Sequence, residues 1–387
     1  MNYQQEIQRL QAHGLLRSLR QVEPQGNGKC RYEGREMINL SSNDYLGLSS
    51  DYALLRQFKA QLGQHPRWFA LGASSSRLLS GNYPLYEEVE EQLCRMYDAQ
   101  AALFFNSGYH ANLGILPALA QKGDLILSDK LCHASLIDGI RLSAAEHIRY
   151  RHLDYQHLAS ILERKRQHYR QVFVVSESVF SMDGDEVNLQ KLVALKEQFN
   201  TLLYIDEAHS IGVKGVQGLG SCETQQAIGK IDLLVGTLGK AYASVGAFAV
   251  LGKELQQMLV NRARTLIYTT ALPPINLAWT KFVLDQMPLF QEKRLRLASL
   301  SSLLSQALHA KGYPTNESHI QPLIIGDNQA AVALAEHLQR EGFLIFPIRP
   351  PTVPPGTARL RLSLTADLSP AVLQSFAELI PRKEVQR

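Results

Sequence analysis

Residues 236–248, GTLGKAYASVGAF, place a single lysine, Lys240, on a short turn between two apolar runs. The runs IDLLVGT and GAFAVLG are rich in Val, Ile and Leu and bounded by Gly, which predicts two short buried strands. Lys240 is therefore expected at the edge of a core. Scarce water there lowers the pKa of an ammonium and makes the amine available for Schiff-base chemistry with a carbonyl. A solvated turn lysine is the alternative interpretation. Residues elsewhere in the chain are needed to distinguish it from a reactive lysine.

Composition indicates a globular protein with a large core, because the 387 residues are 45% hydrophobic. Lys plus Arg (40) exceed Asp plus Glu (36) only slightly, which requires neither a nucleic acid nor a membrane surface as partner. The cysteines form no C-x-x-C pair, which favours reduced thiols and no metal site; they are Cys30, Cys94, Cys132 and Cys222. The first 20 residues are too polar for a signal peptide or a membrane span, so we expect a cytoplasmic protein.

The middle of the chain alternates strand and helix patterns, which is typical of an α/β domain with a mainly parallel sheet. The predicted strands are 101–105, 124–128, 171–177, 201–209 and the two runs beside Lys240. Ligands of such sheets gather at the carboxyl ends of the strands. Polar residues occur at those ends: Ser107, Gly108, His133, Ser181, Asp206, His209, Thr237 and Lys240. Because a helix opens after Ser107, the amides of Gly108 and Tyr109 are expected to bind a phosphate.

The flanking regions predict two further parts of the fold. Apolar residues at helical spacing predict an amphipathic helix over residues 4–20. After a long helical region at 275–311, short strands alternate with helices, which is typical of a smaller α+β domain. We therefore predict an N-terminal helix and strand segment over 1–47, a large domain over 48–285 and a small domain over 286–387.

The polar residues at the strand ends suit one cofactor, pyridoxal 5'-phosphate (PLP). An aspartate such as Asp206, at the end of LLYID, keeps the pyridine nitrogen of PLP protonated. His209 is positioned to bond the phenolic oxygen, Lys240 to form the Schiff base, Thr237 to bind the phosphate and His133 to stack on the ring. Each residue has a structural alternative, but together they form one coherent site.

A competing interpretation comes from residues 206–209, which spell the DEAH box of nucleic-acid-dependent NTPases. That class also requires a phosphate loop of the form G-x-x-x-x-G-K-[ST]. Gly239-Lys240 is followed by Ala241, and no other stretch supplies the loop. The sequence therefore does not predict an NTPase or a nucleic-acid partner.

Eight motifs in order resemble the α-oxoamine synthases, over nearly the whole chain. They are SSNDYLGL (41–48), SRLLSGN (76–82), NSGYHAN (106–112), CHASLIDG (132–139), VFSMDGD (179–185), YIDEAHSIG (204–212), GTLGKA (236–241) and PTVPPGTARLRLS (351–363). The resemblance implies fold type I of the PLP-dependent transferases, as in aspartate aminotransferase. It also implies a homodimer with active sites at the interface.

The resemblance also implies individual roles. Lys240 would carry the cofactor, Asp206 would pair with its ring nitrogen, and His133 would stack on the ring and take part in catalysis. The other implied cofactor contacts are Gly108, Tyr109, Ser181, His209, Thr237 and, toward the second subunit, Thr269. The implied substrate contacts are Arg17, Asn43, His133, Thr352 and Arg361, of which Asn43 and Arg361 would hold the amino-acid carboxylate.

Within the family, residues 348–364, IRPPTVPPGTARLRLSL, most resemble the members that serve biotin biosynthesis. Those acyltransferases condense L-alanine with pimeloyl-CoA or the pimeloyl acyl-carrier protein and release CO2. Another family member, such as glycine C-acetyltransferase, is the alternative enzyme. A non-catalytic subunit is a further alternative, which the presence of Lys240 disfavours. Tyr86 stands where many relatives have histidine, which leaves the acyl-chain and amino-acid preference open.

Overall fold

The structure is a computed structural model that describes residues 2–383. Its strands are β1 (Val22–Gly26), β2 (Lys29–Tyr32), β3 (Arg35–Asn39), β4 (Ala101–Phe105), β5 (Leu125–Asp129), β6 (Glu146–Tyr150), β7 (Val172–Glu177), β8 (Leu202–Asp206), β9 (Leu233–Thr237), β10 (Ala247–Leu251), β11 (Ile320–Gly326), β12 (Phe343–Leu344), β13 (Pro347–Ile348) and β14 (Ala358–Ser363). Its helices are α1 (Tyr3–Ala12), α2 (Tyr52–Gln64), α3 (Pro84–Tyr97), α4 (Gly108–Leu119), α5 (Ala134–Leu142), α6 (Tyr155–Lys165), α7 (Leu189–Phe199), α8 (Ser221–Thr224), α9 (Lys253–Arg262), α10 (Arg264–Ile267), α11 (Pro274–Gln286), α12 (Gln291–His309), α13 (Asn328–Arg340) and α14 (Pro370–Leu379).

The chain folds into two compact units. The large unit comprises residues 52–180 and 186–294. The small unit comprises the chain up to residue 51, residues 181–185 and the chain from residue 295 onward. The first 51 residues thus belong to the same unit as the C-terminal part of the chain.

The large unit contains a seven-stranded sheet with the order β4-β10-β9-β8-β7-β5-β6. Neighbouring strands from β9 to β6 are parallel, whereas β10 is antiparallel to both β4 and β9. The prediction of a mainly parallel sheet is confirmed. Its central strands are apolar runs buried along their length, as expected where helices cover both faces. In this register Glu177, at the end of β7, lies opposite Asp206, at the end of β8.

The small unit contains two sheets, with the orders β1-β2-β3-β12 and β11-β14-β13. β3 pairs in parallel with β12, where Ile38 lies opposite Phe343, so strands from both ends of the chain share one sheet. The helix predicted over residues 4–20 is too long, because α1 ends at Ala12. Gly14 follows with a φ of 63°, a left-handed conformation that ends a right-handed helix. β1 and β2 follow within the predicted N-terminal helix and strand segment.

Within residues 2–383, no helix is both long and apolar enough to cross a membrane. The cysteines in this part of the chain are free thiols, and burial raises the pKa of Cys132 and Cys222 well above the usual range. Because the thiolate is the reactive form, these two cysteines are expected to be inert.

Candidate active site

Lys240 lies on the turn region between β9 and β10, residues 238–246. A hydrogen bond from Leu238 N to Gly246 O (2.9 Å) closes the turn. Gly246 has a φ of 112°, and a Cβ atom there would collide with the ring of Phe104, so glycine is required. The Lys240 side chain is half-buried, and its Nζ donates to Nε2 of His209 at 2.7 Å. The turn therefore holds a lysine amine beside an imidazole.

Asp206 ends β8 and is only 6% exposed. Its Oδ2 accepts a hydrogen bond from Nδ2 of Asn112 at 2.7 Å, and its Oδ1 accepts one from the amide of Ala208 at 2.9 Å. Both oxygens of Asp206 therefore act as acceptors of hydrogen bonds from neutral donors. A buried carboxylate at a strand end is suited to a cationic ligand atom such as a protonated ring nitrogen.

The N-terminus of α4 provides an anion site. Ser107 caps the helix by accepting from the amide of His110 at 3.1 Å. In the described part of the chain, the amides of Gly108 and Tyr109 donate to no protein acceptor. A Cβ atom at position 108 would lie 3.3 Å from Cβ of Thr237, so glycine lets the end of β9 approach the helix terminus. The hydroxyl of Tyr109 donates to Asp138, which leaves the backbone amides as the free donors.

His133 immediately precedes α5 and caps that helix with its own ring. Nδ1 of His133 accepts from the amide of Ser135 at 3.2 Å and bonds Oγ of Ser135 at 2.8 Å. The backbone amide of His133 donates to Oε1 of Glu177. Desolvation lowers the pKa of His133, and the charge of Lys240 acts in the same direction. Burial and the charge of Asp206 raise the pKa of Glu177 to about 8.

Arg361, on β14, forms the centre of a second group of predicted residues, within the small unit. The Arg361 side chain is buried, and its Nη1 donates to Oδ1 of Asn43 at 3.1 Å. Nη2 donates to the hydroxyl of Tyr45 at 3.3 Å, and Nε donates to the carbonyl oxygen of Ser181. The structure therefore brings the predicted residues Asn43, Ser181 and Arg361 together.

Three predicted residues have other partners. Arg17 donates from Nη2 to Oγ1 of Thr352 at 2.8 Å, and no hydrogen bond within residues 2–383 joins this pair to Arg361. Thr269 accepts from Nδ2 of Asn106 at 3.1 Å. Its position beside Asn106 places Thr269 next to the loop that opens α4.

Sequence reasoning missed several residues that bond the predicted ones: Tyr45, Asn112, Ser135 and Glu177. It also missed Tyr204, which bonds Asn112. Tyr45 and Asn112 lie inside motifs that had been recognised, SSNDYLGL and NSGYHAN. Asn112 also stands one helical turn after Gly108 as a polar residue in an apolar helix, which is a readable signal. Glu177 ends a buried strand, as Asp206 does, so the same reasoning applies to it.

Comparisons with known proteins assign nearly the whole chain to one family. Residues 35–380 match the family model of aminotransferase class I and II. A relative from Glaesserella parasuis serovar 5, named "Putative 8-amino-7-oxononanoate synthase", is 52% identical over 370 residues, which cover 95% of this chain and 96% of the relative. A relative of the same name from Neisseria meningitidis serogroup C is 51% identical over 377 residues, which cover 97% of this chain and 98% of the relative.

Solved structures show the same architecture. A serine palmitoyltransferase variant from S. paucimobilis, with a bound PLP-myriocin aldimine, matches with a TM-score of 0.89 and 31% identity over 97% of this chain and 95% of that one. An 8-amino-7-oxononanoate synthase from Francisella tularensis matches with a TM-score of 0.75 and 29% identity over 89% of this chain and 96% of that one.

The chain belongs to the aminotransferase class I and II family and has the fold type I architecture of its PLP-dependent enzymes. Within that family it is an α-oxoamine synthase, similar over its full length to relatives named for 8-amino-7-oxononanoate synthesis. The predicted fold class, enzyme family and PLP dependence are confirmed.

Proposed function

We propose that the protein condenses L-alanine with a pimeloyl thioester to give 8-amino-7-oxononanoate, CO2 and the free thiol carrier, in biotin biosynthesis. The observation that carries this proposal is the site in the large unit, where Lys240 bonds His209 and the buried Asp206 accepts hydrogen bonds from Asn112 and Ala208. The full-length similarity to relatives named for this product supports the choice among α-oxoamine synthases.

The residues present suit PLP. Asp206 would pair with the ring nitrogen, and the amides of Gly108 and Tyr109 with the hydroxyl of Thr237 would hold the phosphate. When bound, PLP forms Schiff bases with amines and withdraws negative charge from the attached carbon atom. His133 would lie against the ring, and His209 would bond a polar group of the cofactor.

Lys240 and His209 together move the proton at the reacting carbon. The amine of Lys240 would hold the cofactor and, once free, would take the Cα proton of alanine as a general base. His209 accepts a hydrogen bond from that amine and so directs it. After CO2 has left, the protonated Lys240 returns a proton to the same carbon.

Arg361 is expected to orient the carboxylate of alanine. Its guanidinium is held by Asn43, Tyr45 and Ser181, which fixes the direction of the remaining N–H donors. A guanidinium binds a carboxylate through two parallel hydrogen bonds, so a fixed Arg361 suits this role.

The acyl donor is expected to be a dicarboxylic chain because, among residues 2–383, the arginines near Thr352 form no ion pair with a carboxylate. Arg17 bonds Thr352, and Arg349 donates to the carbonyl oxygen of Gly14. Burial lowers the pKa of Arg349, and the neighbouring charges of Arg20 and Arg17 act in the same direction. Such a cluster is stabilised by an anion, and the distal carboxylate of a pimeloyl chain supplies one.

We expect a homodimer, with Thr269 reaching the phosphate bound by the second subunit. Large apolar side chains are exposed on two segments of the large unit, Leu71 (73%) and Leu79 (82%) on one and Tyr268 (72%) on the other. A hydrogen bond from Ala271 N to Ser75 O (2.9 Å) joins the segments. A second copy would cover these residues. In light scattering, wild type should have twice the chain mass, and Leu79→Arg should shift toward the monomer; an unchanged monomeric mass for wild type would refute the dimer.

We also expect the enzyme to act in the cytoplasm. Its free cysteines match a reducing compartment.

A substrate comparison tests the proposed reaction. The purified protein is loaded with PLP, and thiol and CO2 release are followed with L-alanine and pimeloyl-CoA or the pimeloyl acyl-carrier protein. Release in equal amounts with either pimeloyl donor, and little with glycine and acetyl-CoA, is expected. A preference for glycine and acetyl-CoA would instead identify a glycine C-acetyltransferase.

A further inference from the structure

Buried side chains in the large unit form a continuous hydrogen-bonded chain from Asp206 to His133. Nδ2 of Asn112 donates to Oδ2 of Asp206 at 2.7 Å and to Oγ of Ser135 at 2.9 Å. Oγ of Ser135 lies 2.8 Å from Nδ1 of His133, and the hydroxyl of Tyr204 lies 2.6 Å from Oδ1 of Asn112. We call this set of five residues the Asn112 chain. Asn112, Ser135 and Tyr204 are almost completely buried.

The chemistry of each group fixes the direction of every hydrogen bond in the Asn112 chain. The ionised carboxylate of Asp206 only accepts, so the amide nitrogen of Asn112 must face it. The carbonyl oxygen of Asn112 then accepts from Tyr204, and the second N–H of Asn112 donates to Ser135. Because Oγ of Ser135 accepts there, its own proton is free to donate to Nδ1 of His133.

The backbone gives an independent argument for the same proton position. The amide of Ser135 also points at Nδ1 of His133, at 3.2 Å, and a backbone N–H can only donate. Nδ1 therefore accepts two hydrogen bonds and carries no proton. In the neutral ring of His133 the proton must reside on Nε2.

The surrounding charges favour the neutral ring at neutral pH. His133 lies at the N-terminus of α5, where the helix dipole opposes a positive charge, and desolvation and Lys240 act in the same direction. Asp206 and Asp138 act in the opposite direction. Glu177, which accepts from the amide of His133, has its pKa raised to about 8 by burial and is largely uncharged at pH 7. Together these groups lower the pKa of His133.

Close packing of two helices makes the Asn112 chain possible. Asn112 lies on α4 and Ser135 on α5. A Cβ atom at Gly139, one turn after Ser135, would collide with the backbone carbonyl oxygen of Asn112. Glycine at 139 therefore lets the two helices approach closely enough for the side chains to bond.

We propose that Asn112 and Ser135 are positioning residues that hold His133 as the Nε2–H tautomer, so that His133 donates a hydrogen bond to the carbonyl oxygen of the acyl thioester. The identity of that acceptor rests on the proposed function. Negative charge develops on this oxygen when the new C–C bond forms, and a donor already fixed in place stabilises it. Tyr204 locks the amide of Asn112, so that the amide cannot flip and present oxygen to Asp206.

The tautomer can be measured directly in the apoprotein, without substrate. The protein is labelled with 15N-histidine, and the ring nitrogens are recorded against pH, with His133→Gln used only to assign the signal. The matched variants are Ser135→Ala, which removes the donor, and Ser135→Thr, which keeps a hydroxyl. Ser143→Ala is the control, because Ser143 stands at the other end of α5 and its hydroxyl donates to Ile140 O.

We expect wild type, Ser135→Thr and Ser143→Ala to show an unprotonated Nδ1 and a protonated Nε2. Ser135→Ala should show a mixture of tautomers and a higher pKa for His133, because the neutral ring has lost a donor. A proton on Nδ1 in wild type, or a ring unchanged in Ser135→Ala, would overturn the inference. Equal losses of thermal stability in Ser135→Ala and Ser143→Ala without any change in the ring would also overturn it.

Kinetics of the PLP-loaded enzyme test the thioester as the acceptor. Ser135→Ala should lower kcat about tenfold with little change in the KM for alanine, and Ser135→Thr should restore kcat. Tyr204→Phe should produce a smaller change of the same kind. If the ring behaves as expected but no thioester is turned over, the proposed function and the thioester acceptor both fail, whereas the positioning of His133 stands.

Asn112→Leu tests the link to Asp206, because leucine has a similar size and no donor. We expect the same change in the His133 ring together with weaker PLP binding, measured by fluorescence titration. Unchanged PLP affinity and an unchanged ring in Asn112→Leu would refute the role of Asn112. If this variant does not fold, Tyr204→Phe provides the same comparison at a site that keeps its ring volume.

Discussion

The Asn112 chain in the large unit and the Arg361 group in the small unit recognise polar groups in different ways. The Asn112 chain has one ionised carboxylate, and its other members are neutral donors and acceptors whose directions follow from that carboxylate. The Arg361 group is built around a permanent cation, held by Asn43, Tyr45 and Ser181. The first arrangement controls where protons reside, and the second controls the direction from which an anion is bound. Substitutions should separate these two functions.

The largest effect is expected at the ionised end of the Asn112 chain. Asp206→Asn keeps the shape and removes the charge, so activity should fall about 10³-fold, as expected when one partner of a buried charge pair is lost. PLP binding, followed by absorbance, should weaken in the same variant. Asp138→Asn is the control, since Asp138 is another carboxylate whose charge acts on His133, but it accepts from the exposed Tyr109 and has Arg141 beside it. If activity and PLP affinity fell equally in both variants, Asp206 would act only through its negative charge and not through direct contact with the cofactor.

Arg361→Gln should have the next largest effect, and only on the amino acid. The KM for alanine should rise about 10²-fold, because two charge-assisted hydrogen bonds are lost, while PLP affinity stays the same. Arg359→Gln is the matched control on β14, because Arg359 pairs with Asp183. That control should lower thermal stability and leave the KM for alanine unchanged. If Arg361→Gln weakened PLP and alanine equally, the separation of the two functions would be refuted.

Arg17→Gln is expected to have a smaller effect, because Arg17 is exposed. The KM for the pimeloyl thioester should rise about fivefold, within the range for accessible charge pairs. The KM for alanine should not change, and Arg9→Gln, on α1 in an exposed pair with Glu6, should affect neither constant. An equal rise in KM for a thioester that lacks the distal carboxylate would refute recognition of that group.

The smallest effect on catalysis is expected for Glu177→Gln, which changes the pH dependence of stability. Glu177 has a folded pKa of about 8 and an ordinary value of 4.5, so the folded state binds its proton more tightly than the unfolded state. Wild-type apoprotein should therefore lose stability as pH rises from about 4.5 to 8. Glu177→Gln still accepts from the amide of His133 and should be less sensitive over that range. Parallel unfolding curves for both proteins from pH 5 to 8 would contradict this expectation.

Much of the large unit could be predicted from the sequence. Short apolar runs predicted β4, β5, β7, β8, β9 and β10, because a buried parallel strand needs apolar residues on both faces. The same pattern did not predict β1, β2 or β6. Those strands are polar, and pairing with their neighbours determines their conformation more than local preference does.

The candidate site was predictable as a set of residues and not as a set of contacts. The motifs named Lys240, Asp206, His133 and Arg361, whose roles remain predictions. The bonds from Asn112 to Asp206 and Ser135 depend on how closely α4 approaches α5. No local pattern in the sequence predicts the distance between α4 and α5.

The sequence by itself determined the family, the mainly parallel sheet and the chemical groups available, because composition and periodicity are local properties of the chain. The tertiary structure decided that the first 51 residues join the C-terminal part in one unit, and which atoms bond across each unit. It also decided the proton position on His133. A tautomer is set by the donors around a ring, and those donors come from backbone and side chains that only the packed helices and strands bring together.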